Sequence, residues 1–308
     1  MSKGSGLPEA AYADAGVYEL ERRDLFGRSW IVVGRADEIL EVGGYFTWDR
    51  TRVPLVMMRS VDGRVRALYN SCRHRGAPVV RTPCGRARAF RCQYHSWTYD
   101  SFGRLVALPD ERDFGHVDRD AYSLVPLQIS EVGGWLFVNQ DAAGAALTDQ
   151  LGGGAATLER LGEGRAFVER RIVSLQSNWK AVVERLAELN ERPEIAGAVA
   201  LSLAPNLTLV EAGAELRALL AWPRDERTTD LEVVRCAPPG ATEALGEAWT
   251  TAGAALETAL RELADGIAAS GVRGDASRLK AAQLAAELAR RFGPGALSGA
   301  SAHADAPV

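Results

Sequence analysis

Two short runs, Cys72-Arg-His74 and Cys92-Gln-Tyr-His95, constrain this chain more than any other feature. Each puts a thiol and an imidazole on one tight loop, so two such loops joined by a small sheet can grip a metal centre from opposite sides. Two cysteines and two histidines admit two kinds of centre. Tetrahedral zinc is one, but zinc sites usually pair Cys with Cys and His with His in sequence. The other is a 2Fe-2S cluster in which one iron takes both cysteines and the second takes both histidines. Swapping thiolate for neutral imidazole raises the reduction potential above that of an all-cysteine cluster. The chemistry such a ligand set implies is one-electron transfer.

The flanking text favours iron and sulfur over zinc. Asn70-Ser-Cys-Arg-His-Arg-Gly-Ala-Pro78 leads in, and Cys92-Gln-Tyr-His-Ser-Trp-Thr-Tyr99 with Asp100-Ser-Phe-Gly103 follows. On these residues the chain resembles the alpha subunits of Rieske non-heme iron oxygenases of the ring-hydroxylating type. The likeness starts earlier, with residues 21–30, Val33-Gly34 and Gly43-Gly-Tyr-Phe46, and with an Asp62-Gly63 hairpin turn between Val-rich strands. It continues through Gly133-Gly-Trp-Leu-Phe-Val138, Ser177-Asn-Trp-Lys180, Pro205-Asn-Leu207 and Trp222-Pro223. The resemblance implies a Rieske-type 2Fe-2S cluster held by Cys72, His74, Cys92 and His95. It also implies an α+β fold, in which an antiparallel β cluster-binding domain is joined to a helix-grip domain, here shortened.

The family carries a second metal site after Asn-Trp-Lys, where an acidic residue precedes a Tyr-His pair and another His follows. By the resemblance Glu188 matches the acidic position, while Asn190 falls at the tyrosine, Glu191 at the first histidine and Ala196 at the second. The late carboxylate ligand falls between residues 249 and 257, nearest Ala255. Non-heme iron that activates dioxygen takes two histidines and one carboxylate. Of the four histidines, the two outside the cluster motifs are His116, just beyond them, and His303, in an Ala/Asp/Pro tail. No mononuclear iron is therefore expected in this chain. Glu184, Glu188 and Glu191 fall at i, i+4 and i+7, and are read as a solvated or interface stripe opposite Val182, Leu186 and Leu189. Three carboxylates alone would suit magnesium or calcium better than iron.

At 308 residues and 47% hydrophobic content the chain can fill two cores. Its punctuation suggests an N-terminal helical segment over residues 1–40 that packs on the C-terminal domain, with a helix at 17–30 presenting Tyr18, Leu25, Phe26 and Trp30. A cluster-binding domain follows at 41–140, an Ala/Gly-rich linker at 141–167 and the helix-grip domain at 168–308. In that last domain the pattern predicts a strand at 171–178, a helix at 179–190, strands at 206–210, 215–222 and 230–236, and helices at 241–270 and 276–292. Cys84 and Cys236 are expected as free, reduced thiols, since the paired extra cysteines of high-potential Rieske loops are absent.

Net charge of -4 with no basic block argues against nucleic acid as partner. No apolar run has signal-peptide or membrane-span length, so the expected location is the cytoplasm. Arg73, Arg75, Arg81, Arg86, Arg88 and Arg91 gather near the cluster loops, either as solvated charges or as a docking surface for an acidic electron donor. By the resemblance, subunits assemble head to tail as trimers or hexamers, and one subunit's cluster feeds its neighbour's iron. The expected role is thus the electron-delivering subunit of a heteromeric oxygenase. It would take electrons from a ferredoxin and reductase and pass them from His95, with Glu188 as the bridge, to an iron-bearing homologous subunit. The other two readings are a self-sufficient oxygenase with atypical iron ligands and a standalone electron carrier.

Overall fold

In the computed structural model, residues 9–240 are described apart from positions 51, 110, 188, 190–198 and 213, together with Leu7. The chain divides into two compact units, Gly27–Gln150 and a second that joins Met1–Phe26 to the chain from Leu151 onward. The helices expected over 241–270 and 276–292 lie outside the described residues.

The first helix, α1 (Ala15–Leu20), starts where the Asp14 carboxylate accepts the N–H groups of Gly16 at 2.7 Å and Val17 at 3.0 Å. This is the N-cap role that short acidic side chains fill well. It runs on as a π-helical turn, Glu21–Phe26. The helix thus ends sooner than residue 30, because Gly27 follows and glycine is a poor helix former. Leu25 and Phe26 are buried as the apolar spacing requires, while Tyr18 is only half-buried and donates its hydroxyl to the Arg224 carbonyl at 2.8 Å.

In the first unit the strands are β1 (Ile31–Arg35), β2 (Gly44–Trp48), β3 (Leu55–Arg59), β4 (Val65–Tyr69), β5 (Cys84–Arg86), β6 (Ala89–Arg91), β7 (Thr98–Asp100) and β8 (Leu105–Ala107). A short helix, α2 (Glu111–Phe114), precedes β9 (Gln128–Val132) and β10 (Trp135–Asn139). They form three antiparallel sheets in the orders β4-β3-β2-β5, β6-β7-β8 and β1-β10-β9. Pairing of β1 with β10 corrects the expected boundary at residue 40. Residues from Gly27 onward belong with the cluster loops, since a five-residue strand buried throughout needs a ladder partner and finds it a hundred residues on. The expected hairpin holds, with Gly63 at φ +78 between β3 and β4. Gly43 sits at φ +85, and a Cβ there would lie 2.8 Å from the Ala87 carbonyl oxygen, which accounts for a glycine in Gly43-Gly-Tyr-Phe46.

The stretch expected as a linker is instead structured. It carries α3 (Leu147–Leu151) and α4 (Gly154–Gly162), and Ala/Gly content misled because Leu147, Leu151, Leu158 and Leu161 supply enough buried leucine to pin both helices. Then come β11 (Ala166–Leu175), α5 (Trp179–Ala187), β12 (Val199–Leu203), β13 (Leu207–Ala212), β14 (Glu215–Pro223) and β15 (Thr229–Ala237). The five strands make one antiparallel sheet, ordered β11-β15-β14-β13-β12, with α5 against β14 and β13. The fold is α+β, as expected. Strand β11 starts five residues ahead of its expected place, and β12 has no counterpart in the sequence reading.

Phe26 packs between two buried tryptophans, with ring centroids 5.0 Å from Trp179 and 5.9 Å from Trp222. Beside it the fully buried Glu21 carboxylate takes Lys180 Nζ at 2.8 Å and Trp179 Nε1 at 2.8 Å. Burial pushes the Glu21 carboxyl up and the Lys180 ammonium down, and each opposes the other's shift. The Trp179-Lys180 pair is therefore an anchor for the N-terminal helix. Among the described residues no helix is long and apolar enough to cross a membrane.

Candidate cluster-binding site

The two loops that carry Cys72 and Cys92 are built alike. In the first, Cys72 N–H donates to the Ala77 carbonyl and Gly76 N–H to the Cys72 carbonyl, both at 2.7 Å. In the second, Cys92 N–H donates to the Trp97 carbonyl and Ser96 N–H to the Cys92 carbonyl, both at 2.9 Å. The residue closing each ring is left-handed, Gly76 at φ +74 and Ser96 at φ +59. Ser96 is held there by Arg91, whose guanidinium donates to the Ser96 hydroxyl at 2.7 Å.

Asn70 locks the first loop. Its side-chain oxygen accepts the N–H groups of Val79 and Val80 at 2.9 and 2.8 Å, and its amide nitrogen donates to the Val80 carbonyl at 2.7 Å. Arg81 ties the exit of this loop to the tip of the other, donating to the Tyr94 hydroxyl at 3.0 Å.

These loops bring the four expected ligands together. Both sulfurs are buried in one apolar cluster with Trp97 and Tyr99. His74 and His95 meet at the surface, His95 exposed and His74 half-buried, with their Nδ1 atoms 3.1 Å apart. Two imidazoles on one metal with bonds of about 2.1 Å would place their nitrogens at this spacing for an angle of about 95°. Burial pushes the Cys72 thiol up, so it keeps its proton until a cation replaces it, and pushes the His74 imidazolium down, which favours the neutral imidazole that binds metal. Among the described residues no group of three Cys, His, Asp or Glu side chains converges as a single ion requires. A binuclear cluster needs only two protein ligands per iron. The residues present therefore fit a cluster with sulfur on the buried side and nitrogen on the exposed side.

Aromatic neighbours complete the site, and the spacing of the motifs does not reveal them. The Tyr99 hydroxyl lies 3.4 Å from the Cys72 sulfur. The Trp97 ring stacks on His74 with centroids 5.1 Å apart, and Phe114 of α2 meets the His74 ring edge-on at 5.5 Å. Trp97 and Tyr99 lie within the quoted motif, but their contacts with the first loop arise only when the two loops meet. Phe114 gave no signal.

Of the residues expected at the second metal position, Glu188, Asn190, Glu191 and Ala196 lie outside the described residues, as do Ala255 and His303. Of the expected solvated or interface stripe, Glu184 lies on the covered side. It is 2% exposed and accepts a short hydrogen bond from the Tyr12 hydroxyl, since its helix turn faces the N-terminal segment and not water. Val182, Leu186 and Leu189 are buried. His116 is exposed in the segment after β8. Cys84 is exposed and Cys236 buried, and neither forms a disulfide among the described residues.

Residues 29–124 match the Rieske [2Fe-2S] domain family. The chain contains a Rieske domain. Curated relatives of this chain include the benzene 1,2-dioxygenase alpha subunit of Pseudomonas putida, 36% identical over 131 residues, 42% of this chain and 29% of the relative. The oxygenase subunit of glycine betaine monooxygenase from Pseudomonas aeruginosa (strain UCBPP-PA14) is 29% identical over 185 residues, 59% of this chain and 42% of the relative. The chain thus spans less than half the length of these relatives. Among solved structures, a quaternary ammonium Rieske monooxygenase superposes with a TM-score of 0.77 at 21% identity, covering 93% of this chain and 95% of that one. The chain therefore shares the fold of that monooxygenase chain, and this superposition gives no support to the expected shortening of the second domain.

Proposed function

We propose that this chain is the Rieske subunit of a heteromeric non-heme iron oxygenase, delivering electrons to an iron-bearing homologous partner that oxidises an organic substrate with O2. Cys72 and Cys92 would hold one iron of a 2Fe-2S cluster and His74 and His95 the other. When bound, the cluster supplies one-electron transfer. The protein's own contribution is to bury the sulfur side, keep water from it, and leave the His95 ring exposed as the edge nearest a partner.

One observation carries the reading: a full Rieske ligand set in a chain whose positions 191 and 196 are Glu and Ala, where the resemblance asks for two histidines. Glu188, the acidic position, is retained as the bridge between subunits. The benzene dioxygenase and glycine betaine monooxygenase subunits supply two substrate classes, aromatic rings and quaternary amines.

A ferredoxin fed by a reductase is the proposed donor. The arginine content supports it, since residues 63–99 hold eight arginines and no acidic residue in a chain of net charge -4. Of these, Arg73, Arg75 and Arg88 are exposed near the loops. Such a field steers an acidic protein, and its effect weakens with salt.

The superposition along nearly all of a monooxygenase chain favours a second reading, a self-sufficient oxygenase whose iron is held by other residues. Iron and acid-labile sulfide, measured in protein purified without oxygen, separate the two. About one iron per sulfide is the composition of the cluster alone and supports electron delivery. About three irons per two sulfides reveals a second iron site and overturns it. A standalone carrier would run as a monomer in size-exclusion chromatography, whereas an oxygenase subunit would assemble with rotational symmetry.

A further inference from the structure

We infer that Trp97 tunes the cluster: its indole N–H donates a hydrogen bond to the 2Fe-2S group that Cys72, His74, Cys92 and His95 would hold. The inference rests on the ligand assignment proposed above and adds a residue to it.

Trp97 is 2% exposed, and its Nε1 is buried with no acceptor among the described residues. An indole N–H can only donate, so nothing but an acceptor satisfies it. Buried donors in native proteins are nearly always paired, and one left over points to a partner other than protein atoms. Here the surroundings narrow that partner. The ring lies flat on His74, 13° from parallel, while Phe114 and Tyr122 meet it edge-on at 5.8 and 5.6 Å. It shares its buried cluster with both cysteines. Trp135 also has a buried Nε1 without a partner among the described residues, but it lies on β10 under the Arg35 guanidinium, 5.2 Å from the ring centroid, outside the buried cluster that holds both cysteines. What sets Trp97 apart is its contact with a ligand.

A bound 2Fe-2S group would bring negatively charged sulfur into this apolar pocket, and sulfur accepts hydrogen bonds. Such bonds favour the reduced, more negative state and raise the reduction potential. Trp97 would then act through the cluster's electronics, beyond its stacking role on His74.

The test uses the cluster-loaded full chain and Trp97→Phe, which keeps an aromatic ring and removes only the N–H donor and the second ring. The expected result is unchanged iron and sulfide content, a lower midpoint potential in a redox titration, and loss of a coupled exchangeable proton in pulsed EPR of the reduced cluster. An unchanged potential and unchanged proton coupling would overturn the inference and leave Trp97 a packing residue. If the variant loses its cluster, wild-type protein labelled with 15N at the tryptophan indoles decides. Hyperfine coupling to an indole nitrogen supports the bond, and its absence overturns it. Wild-type protein without acid-labile sulfide would overturn the ligand assignment as well.

Discussion

The Tyr99 hydroxyl lies 3.4 Å from the Cys72 sulfur, where it can donate to it, and accepts the backbone N–H of Arg73 at 3.1 Å. One buried phenol thus joins the strand after the second loop to the cysteine of the first. Burial and the neighbouring thiol both push its own ionisation up, so it stays a donor throughout the working range.

Tyr99→Phe removes that donor while keeping the ring. The cluster should be retained and its potential should fall. A hydrogen bond that favours the reduced state by about 1 kcal/mol corresponds to about 40 mV for one electron. Redox titration followed by visible circular dichroism checks this, and an unchanged potential would show that the phenol serves only to hold Arg73.

Ser96 occupies a left-handed conformation that costs a residue with a Cβ roughly 1–2 kcal/mol. Ser96→Gly relieves that strain but gives up the bond from Arg91. The net expectation is stabilisation below about 1 kcal/mol, read from the urea midpoint. Arg91→Ala in the otherwise wild-type chain should lose stability instead, because it removes the bond and leaves the strain in place.

Glu21 and Lys180 form a buried ion pair between segments 159 residues apart. Removing one partner leaves an uncompensated charge, so Lys180→Met should cost about 3–5 kcal/mol. The double change Glu21→Gln with Lys180→Met should recover part of that loss, because a neutral amide tolerates burial better than a lone carboxylate. Denaturant unfolding of the two single variants, the double variant and the wild type measures the coupling. Simple additivity would sink the idea that the pair acts as a unit.

Asp62 accepts both guanidinium nitrogens of Arg66 at 2.8 Å across the β3–β4 turn, and this bidentate bond holds its carboxyl well below the usual carboxylate range. A depressed folded-state pKa contributes stability that is present above the unfolded-state value and is lost as pH falls through the folded-state value. Asp62→Asn should therefore lower the melting temperature near pH 7 and converge on the wild type in strong acid. A gap between the two melting curves that stays constant with pH would rule out the linkage.

Much of the strand layout was legible because it is local. Residues 206–210, 215–222 and 230–236 read as strands from their own apolar alternation and lie within or beside β13, β14 and β15. The Asp62-Gly63 turn was readable for the same reason. Reading failed where long-range pairing or burial outweighed local composition. Strand β1 was assigned to the wrong unit because its partner, β10, lies a hundred residues away, and the Ala/Gly stretch hid four leucines that pin α3 and α4. Glu184 read as part of a solvated or interface stripe without a choice between the two, because a helix wheel shows which residues share a face and not what covers it.

By itself the sequence determined the donor set on offer, two thiols and two imidazoles on paired tight loops, whose chemistry is the same wherever they are brought together. It also determined the absence of histidine at positions 191 and 196, which no folding can supply. Only the tertiary structure decided that Cys72 and Cys92 are buried while His95 is exposed, that Tyr99 and Trp97 press on Cys72 and His74 of the other loop, and that Glu21 is locked to Lys180. The reason is physical: a donor atom's chemistry belongs to its side chain, whereas burial and hydrogen-bond partners are set by distant segments that meet only when the chain packs.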